Sequence, residues 1–126
     1  MQANYHNVAV EASETQKEMV ADLAVRADNI RKRRVTSKED NMLNITNDGR
    51  KLALDQRLLD PTLPDFPDSK VNICVNNVFS IWESTSQDKL TQMIFCDLST
   101  PHYDGKFNVY DDIKQKLVEK VYPKMR

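Results

Sequence analysis

The sequence predicts a predominantly helical α/β fold, and three of its stretches support that prediction. Apolar residues recur at three- and four-residue steps in SKVNICVNNVFSIWES, which indicates an amphipathic helix capped by Ser69. The apolar run at residues 93–96 ends in polar residues, as a buried parallel strand does, and we predict a strand at 91–98. Asn108 caps a last amphipathic helix, NVYDDIKQKLVEKV. A strand between two helices is typical of a layered α/β sheet.

A capping box marks the start of the first predicted helix. Ser13 and Gln16 stand three residues apart, ahead of a segment whose apolar residues share one helical face. The helix is predicted to end in four consecutive basic residues, Arg31, Lys32, Arg33 and Arg34. Positive charge suits the C-terminal end of a helix dipole, so this run is either a solvated helix end or a phosphate contact. Two short helices follow before residue 60, with Asn47 or Asp48 capping the second.

Periodicity and composition divide the chain into four stretches. They are a flexible leader at 1–12, a helical region at 13–60, a proline-rich connector at 61–68 and a helix–strand–helix unit at 69–126. The connector cannot continue a helix, because each of its three prolines lacks a backbone N–H. At 126 residues the chain has room for one domain at most.

The charge and the apolar content limit the classes of function that this chain can have. The net charge of −1 provides no global field to hold nucleic acid, so any DNA contact needs a local basic patch. No apolar run approaches the ~20 residues of a membrane span, and the first residues lack the pattern of a signal peptide. We therefore expect a cytoplasmic protein without a membrane contact. Cys74 and Cys96 are then buried thiols, with a disulfide as the alternative.

Motifs for catalysis are missing from the sequence. Gly49 and Gly105 are its two glycines, and neither lies in a phosphate-binding loop. His6 and His102 are too few and too far apart to form a metal site with the cysteines. Cys96 has no partner base that the sequence identifies. The sequence thus predicts no catalytic residue, no metal site, no cofactor and no enzyme activity for this chain alone.

The residues after the predicted strand are candidates for a weak nucleic-acid contact. Ligands bind at the carboxyl ends of strands in open α/β sheets, which is where Ser99 and Thr100 fall. Their hydroxyls, with Lys106 nearby, can bind phosphate oxygens without reading base identity. A Ser/Thr turn that ends the strand explains the same residues, and both interpretations stay open.

One block of the sequence resembles a known family. It consists of DNMLNITNDGRKLALDQRLLDP, then SKVNICVNNVFSIWE, then TQMIFCDLSTP followed by FNVYDDIKQKL. This block resembles the helicase–methylase proteins of bacterial mobile elements, whose motor is a Swi/Snf-type superfamily-two ATPase. The resemblance covers roughly residues 13–120, and FCDLSTP together with FNVYDDIK forms its most specific part.

The resemblance implies a place for each stretch within a motor. Residues 13–60 join the two RecA-like lobes, residues 69–126 open an incomplete second lobe, and the 91–98 strand carries helicase motif IV. Ser99 and Thr100 then fall where such motors approach the nucleic-acid backbone. The motor's phosphate loop, Mg²⁺-binding acids and arginine finger are missing from this sequence. ATP and Mg²⁺ therefore belong to the presumed parent protein.

These observations lead to two functional hypotheses from different classes. The first is a non-catalytic fragment of an ATP-dependent DNA helicase or translocase linked to a DNA methylase, with the remainder of that motor and DNA as partners. The alternative is a small helical protein-interaction adaptor without a nucleic-acid role. A single strand with two unpaired edges also predicts a homodimer through residues 91–98.

Overall fold

The computed structural model describes residues 2–124 and consists of four α-helices joined by irregular segments. The helices are α1 (Glu14–Arg31), α2 (Met42–Leu54), α3 (Lys70–Thr85) and α4 (Val109–Val121). Short 3₁₀ turns lie at Gln56–Leu58, Ser86–Asp88 and Tyr122–Lys124. Helix α1 packs on α2, α2 contacts α3, and α3 packs on α4. None of the helices in the described part is both long and apolar enough to span a bilayer.

The predicted α/β fold class is wrong, because residues 2–124 contain no strand and no sheet. Residues 91–97, predicted as a strand, are not helical, but they pair with no other segment of the described chain. A strand is defined by the hydrogen-bonded ladder to its neighbour, and this part of the chain offers no second strand to form one. Helices α3 and α4 pack directly on each other instead of covering a sheet. Because the strand is absent from the described residues, the expected incomplete RecA-like lobe is wrong as well.

Local hydrogen bonds explain where α1 begins. The predicted capping box is confirmed: Ser13 Oγ accepts from the Gln16 N–H at 3.0 Å, and Gln16 Oε1 accepts from the Ser13 N–H at 2.9 Å. Both side chains also reach across to the neighbouring helix. Gln16 Nε2 donates to the Leu52 carbonyl at 2.8 Å, and Ser13 Oγ donates to Gln56 Oε1 at 2.7 Å. The cap of α1 is therefore also a buried tertiary contact.

Polar contacts continue along the pair formed by α1 and α2. Arg26 donates to both carboxylate oxygens of Asp40 and, at 2.7 Å, to Asp48 Oδ2. On the same side, a Cβ added at Gly49 would meet Leu23 Cδ1 at 3.8 Å. The hydrogen bonds raise the pKa of the Arg26 guanidinium above its ordinary value, with the bond to Asp40 contributing most and the bond to Asp48 next. Arg26 thus ties α1 to α2 and to the loop before it.

The prediction of two short helices before residue 60 is partly wrong. The structure has one helix, α2, and then the 3₁₀ turn at Gln56–Leu58. Asn41 caps α2 by accepting from the Asn44 N–H at 3.0 Å, so Asn47 and Asp48 lie inside the helix. Asp55 caps the short turn that follows. The helix spans Gly49 because tertiary packing outweighs the weak helix propensity of glycine.

The apolar core lies between α3 and α4. Four buried side chains form it: Val71, Val75, Val109 and Ile113. Half-buried apolar residues extend it from the neighbouring segments, namely Leu54, Leu58, Cys96, Phe107 and Leu117. Ser69 and Asn108 cap the two helices as predicted, each accepting from the N–H three residues on. Trp82 is only half-buried and stacks on Phe79, with ring centroids 5.9 Å apart.

Candidate functional site

A non-helical segment at residues 90–97, here called the contact strip, lies against α3 and α4. It follows Lys89, whose φ of 53° turns the chain at the end of the 3₁₀ turn Ser86–Asp88. Gln92 Nε2 donates to the Val78 carbonyl of α3 at 3.0 Å, which ties the strip to that helix. Beyond it, Cys96 Sγ donates to the Ser99 carbonyl at 3.5 Å. The strip is thus attached near both ends.

Side chains of the contact strip alternate between the helices and solvent. Ile94 and Cys96 line a cavity of about 280 Å³ together with residues of α4. Met93 and Phe95 are 80% and 88% exposed, against 40% for Ile94, and Phe95 also borders a second cavity beside α2, α3 and α4. This is the two-residue period of an extended chain. Since the more exposed side chains are also apolar, the strip has an outer face that is apolar and largely exposed.

The backbone of the strip is also unpaired from residue 91 to residue 97, whereas the Leu90 N–H donates to the Thr85 carbonyl at 3.5 Å. No hydrogen bond among the described residues reaches an N–H or C=O group of residues 91–97. Free backbone groups in a row can template pairing with another chain, and natural edges are usually guarded against this by charges or proline. Between Thr91 and Cys96 the strip carries neither. An apolar face and a free backbone edge thus occur on the same short segment.

Ser99, a predicted phosphate contact, is engaged within the fold. It is 7% exposed, and its Oγ accepts from the Val109 N–H at 2.8 Å at the start of α4. Its carbonyl accepts from the Tyr110 N–H at 3.2 Å. Thr100 beside it is exposed. The structure therefore places Ser99 in a helix-capping position, which agrees with the turn interpretation of these residues.

Lys106 lies in an exposed turn ahead of α4. Its backbone N–H donates to Asp104 Oδ1 at 3.0 Å, and the turn contains Gly105 at a φ of 73°. Positive φ values are costly for residues with a Cβ, which explains a glycine at this position. The Lys106 side chain is available to solvent, and its contact with nucleic acid remains a prediction.

The predicted basic run lies at the end of α1, and half of its charge is paired. Arg31 Nη2 lies 2.8 Å from Asp28 Oδ1, and Lys32 Nζ lies 3.0 Å from Asp28 Oδ2. These hydrogen bonds, Lys32's first and then Arg31's, hold the pKa of the Asp28 carboxyl below its usual range. Arg33 and Arg34 are exposed and form no ion pair within residues 2–124. They are the members of the run best placed to meet a phosphate.

The structure does not gather the predicted contacts into one site. The basic run belongs to α1, which packs on α2, whereas Ser99, Thr100 and Lys106 precede α4, which packs on α3. The two groups are therefore attached to different helix pairs.

An ionic cluster, of which only Asp55 is fully buried, joins the connector to α4, and sequence reasoning missed it. Arg57 Nη2 lies 2.8 Å from Asp55 Oδ2, 2.9 Å from Asp112 Oδ2 and 3.3 Å from Asp65 Oδ1. Lys116 Nζ lies 2.7 Å from Asp65 Oδ2 and 2.8 Å from Asp112 Oδ2. Asp55 is 1% exposed, and its carboxylate accepts three hydrogen bonds from Arg57. The partners are up to 55 residues apart in sequence, so no local pattern reveals them.

The electrostatics of the cluster identify it as structural. Burial lowers the pKa of the Arg57 guanidinium, but hydrogen bonds to Asp55 and then Asp112 outweigh burial and raise it. Arg57 also stacks over the Phe107 ring at 4.3 Å. Every charge in the cluster has a partner, and no buried polar side-chain atom of the described residues lacks one. The charged groups of the cluster thus hold one another between the connector and α4.

The cysteines and the remaining donors define no second site. Cys74 and Cys96 are free thiols, both half-buried, and burial followed by the charge of Cys96 raises the pKa of Cys74. A raised pKa disfavours the reactive thiolate. Among residues 2–124, no group of three or more His, Cys, Asp or Glu side chains is arranged to hold a metal ion. The contact strip is the candidate site that the geometry supports.

Comparisons of the chain with protein-family models, curated proteins and solved structures found no match.

Proposed function

We propose that this chain is a non-catalytic part of a larger assembly and that it binds another polypeptide through the contact strip. The observation that carries the proposal is the strip itself: Met93 and Phe95 are exposed on a backbone whose hydrogen-bonding groups are free. Exposed apolar surface marks interaction sites, and an unpaired extended backbone adds directional hydrogen bonds to the contact. Binding by strand addition uses both features together.

The assembly that we propose is an ATP-dependent DNA helicase or translocase linked to a DNA methylase of a mobile element. The resemblance of residues 13–120 to such proteins supports it, above all the pair of motifs FCDLSTP and FNVYDDIK. ATP and Mg²⁺ would be bound by other parts of that assembly, and this chain would supply contacts. The proposal does not include a RecA-like fold for this chain.

A helical adaptor without a nucleic-acid role is the second candidate. The all-helical fold favours it, as does the engagement of Ser99 Oγ by the Val109 N–H. The pairing of Arg31 and Lys32 with Asp28 also leaves less free charge for DNA than the sequence alone suggests. Both candidates require a polypeptide partner, and they differ in what that partner is.

Photo-crosslinking from the contact strip distinguishes the two candidates. A photoreactive amino acid at Phe95, with one at the equally exposed Tyr5 as the control, labels partners in cells that express the native gene. The motor proposal predicts a Phe95-specific product whose sequence contains a phosphate-binding loop. A Phe95-specific partner that lacks nucleotide motifs and is not a second copy of this chain supports the adaptor. Equal labelling from both positions would contradict a contact through the strip.

Two assays on the purified chain test what it contributes to the motor. With ATP and duplex DNA we expect no hydrolysis above background, and DNA-stimulated turnover would overturn the non-catalytic role. In fluorescence anisotropy at low salt we expect weak DNA binding that falls with salt, because phosphate contacts release counterions. Replacing Arg33 and Arg34 by Ala should abolish it, whereas Arg31→Ala should weaken it less because Asp28 already pairs with Arg31. Binding that is unaffected by salt would exclude phosphate contacts.

A further inference from the structure

We infer that the contact strip pairs antiparallel with the contact strip of a second copy of this chain, about a two-fold axis near Ile94. The inference rests on the first part of the proposed function, that the strip binds a polypeptide, and names one such polypeptide. The helices cover the inner face of the strip in part, since Ile94 is 40% exposed, and the outer face and the backbone of residues 91–97 have no hydrogen-bond partner in the described chain. An occupant must therefore bring apolar side chains and an extended backbone of its own.

A second strip has the side chains that this occupant needs. In an antiparallel pair centred on Ile94, Met93 lies opposite the partner's Phe95, and Phe95 lies opposite the partner's Met93. The four side chains then form one apolar cluster on the outer face, with sulfur against aromatic rings. The same register sets Thr91 opposite the partner's Asp97, a hydroxyl against a carboxylate. Within residues 91–97, this register places no two like charges opposite each other.

Charge selects the antiparallel direction. The strip is bounded by Lys89 on one side and ends in Asp97 on the other. Antiparallel pairing brings each Lys89 towards the partner's Asp97, although Asp88 next to Lys89 reduces the attraction. Parallel pairing would place Asp97 beside the partner's Asp97 and Lys89 beside the partner's Lys89. Like charges directly opposite destabilise a strand pair, so the two-fold arrangement is favoured.

The rest of the described chain offers no competing occupant in place. Residues 61–68 contain three prolines, which cannot donate to a ladder. At the other end, Val10 and Ala12 line a cavity beside α1 and α2, not one beside the strip. The strip is short compared with interfaces that bury about 800 Å² per partner. We therefore expect a dimer that dissociates on dilution through the micromolar range.

Mass measurements with matched variants test the inference. Light scattering on the full chain at rising concentration should show a shift from monomer to dimer mass. Phe95→Lys should leave a monomer at every concentration, since it places two charges inside the apolar cluster. Leu43→Lys is the control, because Leu43 is also exposed and apolar but lies on α2. It should dimerise as the native chain does, and circular dichroism checks that both variants stay folded.

Crosslinking tests the direction of pairing. Chains with Thr91→Cys and chains with Asp97→Cys, each with Cys74 and Cys96 replaced by Ala, should form a mixed disulfide when combined and oxidised. Neither variant should crosslink efficiently to itself. Self-linkage of each variant without a mixed product would overturn the antiparallel register.

Two results of the mass measurements would overturn self-pairing altogether. They are a monomer at every concentration and a dimer that survives Phe95→Lys. Neither would affect the proposed contact with a different polypeptide, because that contact is read from the photo-crosslinked partner.

Discussion

The structure gives Ser99 a capping role that its position in the sequence does not reveal. Its position after an apolar run left two interpretations open, a phosphate contact and a Ser/Thr turn, and its Oγ is buried against the first N–H of α4. The acceptor and the donor are ten residues apart, with a loop between them. Reading the sequence in short windows identifies caps three residues apart, such as Asn108 with Asp111, and misses one that closes across a loop.

Replacing Ser99 measures this capping role. Ser99→Ala should lower the free energy of unfolding by about 1–2 kcal/mol, because the buried Val109 N–H loses its acceptor. Thr100→Ala is the control, since Thr100 is adjacent and exposed and should change stability little. Urea denaturation followed by circular dichroism gives both values. Equal effects of the two substitutions would contradict a structural role specific to Ser99.

Leu52 provides a second test, of the packing between α1 and α2. It is 2% exposed, whereas Leu43 on the same helix is 70% exposed. Leu52→Ala should cost about 2–5 kcal/mol through lost burial and a residual cavity. Leu43→Ala should fall within about 0.5 kcal/mol of the native chain. If the two losses were similar, the face of α2 assigned here to the interior would be wrong.

Elements whose signals are local could be predicted from the sequence, and those that depend on distant partners could not. Helix α1 was predicted from Ser13 and Gln16, and α3 and α4 from their caps and apolar stripes, because caps and stripes lie within the elements themselves. The strand at 91–98 failed because an apolar run does not supply its own ladder. Its apolar character, the reason for predicting it, is what makes the contact strip a candidate site.

The ionic cluster around Arg57 also could not be predicted from the sequence, because its members lie on different elements. It leads to a prediction about how the stability of the fold depends on pH. Asp65 is partly buried, which raises its pKa, but hydrogen bonds from Lys116 and then Asn72 outweigh burial and leave the pKa below its ordinary value. A carboxyl whose pKa is lower in the folded state stabilises the fold above its unfolded pKa of about 3.9. That stabilisation is lost as the pH falls through the folded pKa.

The midpoint of thermal unfolding should therefore fall as the pH decreases from about 5 to about 3. Asp65→Asn should unfold at a lower temperature at neutral pH and should show a smaller decrease over this range. Asp68→Asn is the control, because Asp68 is exposed and forms no ion pair among the described residues. An unchanged pH profile in Asp65→Asn would show that the connector is not held to α4 through this carboxylate.

At the scale of the whole molecule, the fold consists of two helix pairs and the contact strip, whose apolar outer face is exposed and whose backbone is unpaired at residues 91–97. The polar contacts of α1 with α2 and the core between α3 and α4 need nothing from outside the described chain. The contact strip differs, because its outer face is exposed and the backbone of residues 91–97 has no hydrogen-bond partner in the described chain. We propose that another polypeptide completes both. We expect either occupant, a different polypeptide or a second copy, to pair with the strip and to leave the four helices as they are.

Amide hydrogen exchange at residues 91–97 tests this central claim most directly. In dilute solution the amides of the strip should exchange quickly, while those of α3 and α4 are protected by their helical hydrogen bonds. At a concentration where the dimer forms, or with the crosslinked partner added, alternate amides of the strip should become protected, as one edge of a strand pairs. Protection already present in the dilute monomer would contradict the account, as would binding that leaves residues 91–97 unprotected.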